Sequence, residues 1–204
     1  LQEIVPILHG SLDQAKPIRY VLSEMIRNVL EHSGDTYGAT ICCVYNRDSN
    51  KISIGIADMG IGVARSIARS HQVNSNASAL ALALTPGITG ATPVIGGNDY
   101  NAGAGLFFTR CISKFSGSSF VLCSSNAIYK LKEYIQDKIL HPNPTDEDHF
   151  LGEYENEWVG TLVGVDFCLS KDSEFDRLLN AIRQAYHIDV KTRKNNSYKK
   201  PRFI

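Results

Sequence analysis

Residues 23–33 read Ser-Glu-Met-Ile-Arg-Asn-Val-Leu-Glu-His-Ser, a stretch that satisfies both of its faces as a helix with one side in a core. In an α-helix, residues four apart lie about 6 Å apart along the axis with roughly 40° of drift. Glu24, Asn28 and His32 then form one polar stripe, while Val21, Leu22, Met25, Ile26 and Val29 fill the other side. The chain must supply a second layer to cover that apolar side. On the polar side a rigid element presents a carboxylate, a carboxamide and an imidazole together, a set suited to a metal ion and a general base. A solvated helix face is the plainer reading of the stripe taken alone.

The second layer is legible as strands. Pro17 suits the first turn of a helix, where its missing N–H is not needed, and glycines at 34 and 38 end the helix, so residues 17–33 are predicted helical. Residues 39–45 and 51–57 read as strands around the turn Asn46-Arg47-Asp48-Ser49-Asn50. Ile52, Ile54 and Ile56 alternate with Ser53, Gly55 and Ala57, as in a hairpin with one buried face. Further on, residues 77–84, 106–115 and 174–187 read as helices, and 119–124, 127–131 and 158–169 as strands. Residues 1–16 form a lead-in. Residues 132–157, with Pro142, Pro144 and the run Asp146-Glu147-Asp148, read as a surface excursion. The glycines of residues 85–101 suggest mobility, and a loop of this length inside a domain is either functional or disordered.

A chain of 204 residues with 43% apolar content supports a real core in one domain, or in one domain plus an appendage. Its 21 basic and 21 acidic residues cancel, yet beyond Asp189 the chain carries Lys191, Arg193, Lys194, Lys199, Lys200 and Arg202 with no acid. This basic tail, residues 191–204, offers a contact for nucleic acid or an anionic surface; a solvated linker is the plainer reading. Cys42, Cys43, Cys111, Cys123 and Cys168 show neither CxxC nor Cys/His spacing for zinc, and are read as reduced core residues. No secretory segment precedes the domain, and no run approaches the roughly 20 apolar residues needed to cross a bilayer. A cytoplasmic protein without a membrane span is expected. Since the chain opens on Leu1 rather than Met, a piece of a longer protein is also expected.

Two further stretches carry chemistry. Asp58-Met59-Gly60-Ile61-Gly62 follows directly on the second strand. An aspartate and glycines there suit a plain turn. They equally suit a buried carboxylate accepting a hydrogen bond from an exocyclic amine, with glycines letting a flat ring approach the backbone. Adenine offers such an amine. Guanine offers a carbonyl oxygen, which would meet the carboxylate acceptor to acceptor at a cost of about 1 to 3 kcal/mol. Gly103-Ala104-Gly105-Leu106 opens a helix whose N-terminal N–H groups suit phosphate. It is not a Walker loop, since GxxxxGK is absent, and it follows no strand as a dinucleotide fingerprint would.

In this order and on these elements, the three stretches resemble the ATP-binding domain of the GHKL superfamily, which includes gyrase B, the large heat-shock chaperone, histidine kinases and MutL. Glu24-x-x-x-Asn28 with His32 is similar to the N box, Asp58-x-Gly60-x-Gly62 to the G1 box and Gly103-x-Gly105-Leu106 to the G2 box. Gly160-Thr161 stands where the superfamily often has a threonine near the adenine, and the wording around Asn28 is most similar to histidine-kinase-like and anti-sigma-factor-like ATPases. The resemblance implies an α/β (α+β) fold of Bergerat type, a two-layer sandwich with a mixed, mainly antiparallel sheet and helices on one face. It spans residues 17–170, with a lid at 63–102, followed by a C-terminal helix at 171–190. It also implies roles. Asn28 would ligate Mg²⁺ through its side-chain oxygen, and Glu24 would be the base that activates a water or protein hydroxyl. Asp58, Gly60, Gly62 and Thr161 would surround adenine, Gly103 and Gly105 would hold the phosphates with residues 63–102 closing over them, and Leu106 would be a further nucleotide-binding position. His32 would contact phosphate or serve as an ordinary polar helix residue.

Two functional classes follow. One is a Mg²⁺-dependent ATPase or ATP-dependent protein kinase acting on a protein partner. The other is a nucleotide-gated binding module with little turnover, whose partner is a protein or, through the basic tail, nucleic acid. A purely structural domain is the third reading.

Overall fold

The computed structural model describes residues 12–34, 36–98, 102–132, 139–168 and 175–197. Helix α1 spans Leu12–Asn28. It begins before Pro17 because Ala15 and Ile18, 2% and 1% exposed, anchor that earlier turn in the core, so packing outweighs the proline's preference for a first turn. A π-helical turn, Val29–Ser33, continues the helix and stops at Gly34, whose φ of 63° is left-handed. The rest of the expected lead-in, residues 1–11, lies outside the described residues.

Strands β1 (Thr40–Asn46) and β2 (Lys51–Asp58) form the expected hairpin, with Ile41 opposite Ile56 and Cys43 opposite Ile54. Helix α2 (Gly62–Ala68), helix α3 (Asn76–Ala83), helix α4 (Gly105–Phe115) and strand β3 (Phe120–Leu131) follow. Strand β4 (His149–Cys168) returns along β3, and helix α5 (Phe175–Ser197) closes the described chain. The sheet order is β1-β2-β4-β3. The fold is α+β in two layers, and among the described residues every strand pairing is antiparallel.

The core lies between the layers. Ile52, Ile54 and Ile56 of β2 and Val163, Val165 and Phe167 of β4 are buried with Val21, Leu22 and Met25 of α1 and Phe107 and Ile112 of α4. Each such side chain contributes about 1.5 to 3 kcal/mol. The opposite sheet face carries Ser53, exposed to solvent. At the sheet's edge β1 is exposed along nearly its whole length. This corrects the reading of the cysteines: none is in a disulfide, but only Cys111 is buried, whereas Cys42 and Cys43 are exposed.

Two other expectations change. Part of the expected surface excursion is strand, because β4 starts at His149 and pairs with β3 from Leu131↔His149 to Ala127↔Glu153. Tyr129 and Leu131 are fully buried there. Glu147, at the start of this return, is buried between Arg110 and Lys114 of α4. The last helix extends through residues expected to be tail, and Arg193 is spent inside the fold, pairing with Asp189 and donating to the carbonyl of Pro86. Lys199, Lys200 and Arg202 lie outside the described residues. No helix among the described residues is long and apolar enough to cross a membrane.

Candidate functional site

A cavity of about 310 Å³ opens where the end of α1, the end of β2, the Thr161–Val163 part of β4 and the start of α4 converge. Glu24, Asn28 and His32 line it together with Asp58 and Gly62. Gly103, Gly105, Leu106 and Thr161 complete the set, so residues far apart in sequence share one wall. Gly60 is the sequence-derived candidate that does not line it.

The floor is an apolar slot with one carboxylate. Met25, Ile56, Val163 and Ile88 contribute its walls. Asp58 ends β2, is 5% exposed, and accepts a hydrogen bond on Oδ1 from the Gly60 N–H at 2.9 Å. Across the ladder it faces Thr161 of β4. Gly160 permits this approach: its φ is 92°, and a methyl group there would lie 2.0 Å from the Asp58 carbonyl oxygen.

The glycines after β2 join parts of the chain. A methyl on Gly60 would lie 2.2 Å from the Ser33 carbonyl oxygen, and the next N–H, of Ile61, donates to that same oxygen at 2.8 Å. The end of α1 and the turn after β2 are therefore one unit. Beyond it, Ser124 of β3 accepts from the Val63 N–H at 2.8 Å and donates to the Gly160 carbonyl at 2.7 Å. Sequence reading passed over Ser124, which carries no signal beyond its place on a strand.

At the start of α4, a methyl on Gly105 would come within 2.7 Å of Glu24 Oε2. The Glu24 side chain, 13% exposed, is ion-paired with Arg27, which also lines the cavity. Arg27 was not singled out by sequence, although its i, i+3 spacing from Glu24 is the signal that finds it. His32 sits on the π turn with Nε2 3.8 Å from Glu31 Oε2. Burial pushes the imidazole below its ordinary pKa against the opposing pull of Glu31, so it is mainly neutral at pH 7.

The stretch expected to form a mobile lid contains α2 and α3, and its loop is fastened in several places. Ser75 and Ser78 cap α3 reciprocally. Ser70 donates to the Gly90 carbonyl at 2.9 Å, and His71 Nε2 lies 3.0 Å from the Thr89 carbonyl. Gly90 abuts the Ser66 backbone, where a methyl would fall 2.3 Å from the carbonyl oxygen. Gly90 serves close packing. Thr89 and Gly90 themselves line the cavity.

No family model matches the sequence, and no curated protein matches it. Among solved structures, the ATPase region of Saccharomyces cerevisiae topoisomerase II, in a crystal structure with ICRF-187 (dexrazoxane), is similar over 84% of this chain at 14% identity and a TM-score of 0.33. The chain spans 42% of the length of that protein.

Proposed function

We propose that the cavity is a Mg²⁺-dependent ATP site of GHKL type, and that the protein hydrolyses ATP or passes its γ-phosphate to a protein partner. The observation that carries this reading is the meeting of Glu24, Asn28, Asp58, Gly103, Gly105 and Thr161 around one cavity. Chance resemblance of short motifs does not require that they meet.

The residues fit the ligand. A buried carboxylate beside an apolar slot suits the amine edge of adenine, since a carboxylate accepts several hydrogen bonds and the exocyclic amine donates. Glu24 and Asn28 offer hard oxygen donors at the cavity wall. Among the described residues no group of three or more His, Cys, Asp or Glu could hold a metal ion. Binding of Mg²⁺ at such a site would depend on the nucleotide as well as on protein oxygens. When bound, the ion neutralises phosphate charge and orients the terminal phosphoryl group. Asn28 would hold it, Glu24 would accept the proton of the attacking hydroxyl or water, and the start of α4 would face the phosphates.

Calorimetric titration with ATP, ADP and GTP, followed by a turnover assay of wild type beside Glu24→Ala, tests the proposal. Adenine nucleotides are expected to bind, GTP to bind at least tenfold more weakly, and Glu24→Ala to stop turnover. Absence of adenine nucleotide binding sinks the proposal. The second reading, a nucleotide-gated module with little turnover, is favoured by the Glu24–Arg27 ion pair, which occupies the proposed base. Tight ATP binding with no phosphate release selects it.

A further inference from the structure

We infer that Tyr186 and Arg193 of α5 are positioning residues for the cavity: they hold the two backbone legs that line it through Ile88, Thr89 and Gly90 on one side and Ala102 and Gly103 on the other. The effect on binding rests on the ATP reading above; the effect on the legs does not.

The Tyr186 hydroxyl donates to the carbonyl of Ala102, and the Arg193 guanidinium donates to the carbonyl of Pro86. Between them on the same helix face stands Val190, 8% exposed. A methyl on Gly87 would lie 2.8 Å from its Cγ2, and one on Gly96 2.9 Å from its Cγ1. The legs are tied to each other by the Gly87 N–H to the Gly103 carbonyl at 2.9 Å, and the first leg is closed on itself by the Gly96 N–H to the Gly87 carbonyl at 2.8 Å. Thr89 and Gly90 are held from the other side by His71 and Ser70, and the side-chain donors that reach the ends of the legs, at Pro86 and Ala102, come from α5. Asp189 keeps the Arg193 fork in place, with Nε 2.6 Å from Oδ2.

A cavity wall fastened by a separate helix is coupled to it. A ligand that requires the ordered wall tightens α5, and displacement of α5 weakens the ligand by the same factor. The region beyond Asp189, which by charge alone invites an external anion, thus acts inward through one of its arginines.

The test uses the whole chain with Tyr186→Phe, Arg193→Ala and Arg193→Lys, reading amide hydrogen exchange over residues 86–98 and 102–105 without nucleotide, then calorimetry with ATP. Loss of one hydrogen bond to a charged donor is expected to speed exchange and raise the ATP Kd by about tenfold in Arg193→Ala. A smaller rise is expected in Tyr186→Phe. Arg193→Lys, which restores a cationic donor, is expected to recover most of both losses. Unchanged exchange in Tyr186→Phe and Arg193→Ala overturns the inference, and so does faster exchange at an unchanged ATP Kd. Wild-type protein that binds no ATP overturns the nucleotide reading, and the exchange result by itself then upholds or overturns the role of α5 in holding the legs.

Discussion

The α-carbon of Gly105 abuts the Glu24 carboxylate, so that a methyl group there would fall 2.7 Å from Oε2. The start of α4 and the polar side of α1 thus share a contact at a helix N-terminus, where negative charge is favoured. Gly105→Ala would meet the far end of a flexible side chain, which can move aside. We expect an almost unchanged melting temperature and a loss of ATP turnover of about tenfold or more as Glu24 is displaced. Phosphate release measured beside thermal unfolding separates the two effects, and an unchanged rate would dissociate Glu24's position from turnover.

Gly60 presents the opposite case, because the obstacle is the Ser33 carbonyl oxygen, 2.2 Å from an added methyl. Backbone on both sides cannot give way cheaply. Gly60→Ala is expected to lose about 1 to 3 kcal/mol, read as a lower urea midpoint at constant slope. Gly55, on strand β2 just before that turn and with nothing within 4 Å of an added methyl, is the control: Gly55→Ala should stay within about 0.5 kcal/mol of wild type.

Arg110 and Lys114 share a single buried anion, Glu147, and all three side chains are at most 1% exposed. Glu147→Gln leaves two buried cations without their counter-charge. A loss of about 3 to 5 kcal/mol is expected from denaturant unfolding. A loss below about 1 kcal/mol would mean that water reaches the cluster.

His32 gives stability a pH dependence. Its folded-state pKa lies below the ordinary value because of burial, so the unfolded chain binds the proton more readily. The stability this histidine contributes is complete above about pH 6.5 and is lost as pH falls through the lower folded value. Between about pH 8 and 5, wild type should lose stability more steeply than His32→Gln. Parallel curves would remove the half-buried imidazole as the source.

The features legible in sequence are those where one periodicity governs a whole element. Ile52, Ile54 and Ile56 alternate without interruption, and all are buried. The apolar positions of α1 follow helical spacing, and Val21, Leu22, Met25 and Val29 are buried with them. The polar stripe could be placed on a helix, but its meeting with Asp58 and Gly105 depends on the two-layer fold.

What escaped reading has physical causes. Helix α2, Gly62–Ala68, has no side-chain cap and opens on a glycine, so neither start signal nor length distinguishes it from a turn. Residues 153–159 of β4 are all exposed, and a strand with no buried side shows no alternation. The far half of α5 packs through one residue per turn, Tyr186, Val190 and Arg193, amid charged neighbours, and reads as a polar tail. The exposure of Cys42 and Cys43 follows from β1 being an edge strand, which composition does not reveal.

The joint between Ser33 and Ile61 bears on how a two-ended ligand would be felt. Since that joint fixes the slot floored by Asp58 against the polar end of α1, a molecule filling both regions meets them at a preset separation. The second half then binds at the effective concentration its linker imposes, in the millimolar range for a short flexible connection. An intact ligand would thus hold more tightly than its halves offered separately, because the joint at Ser33, Gly60 and Ile61 keeps the two regions at one spacing.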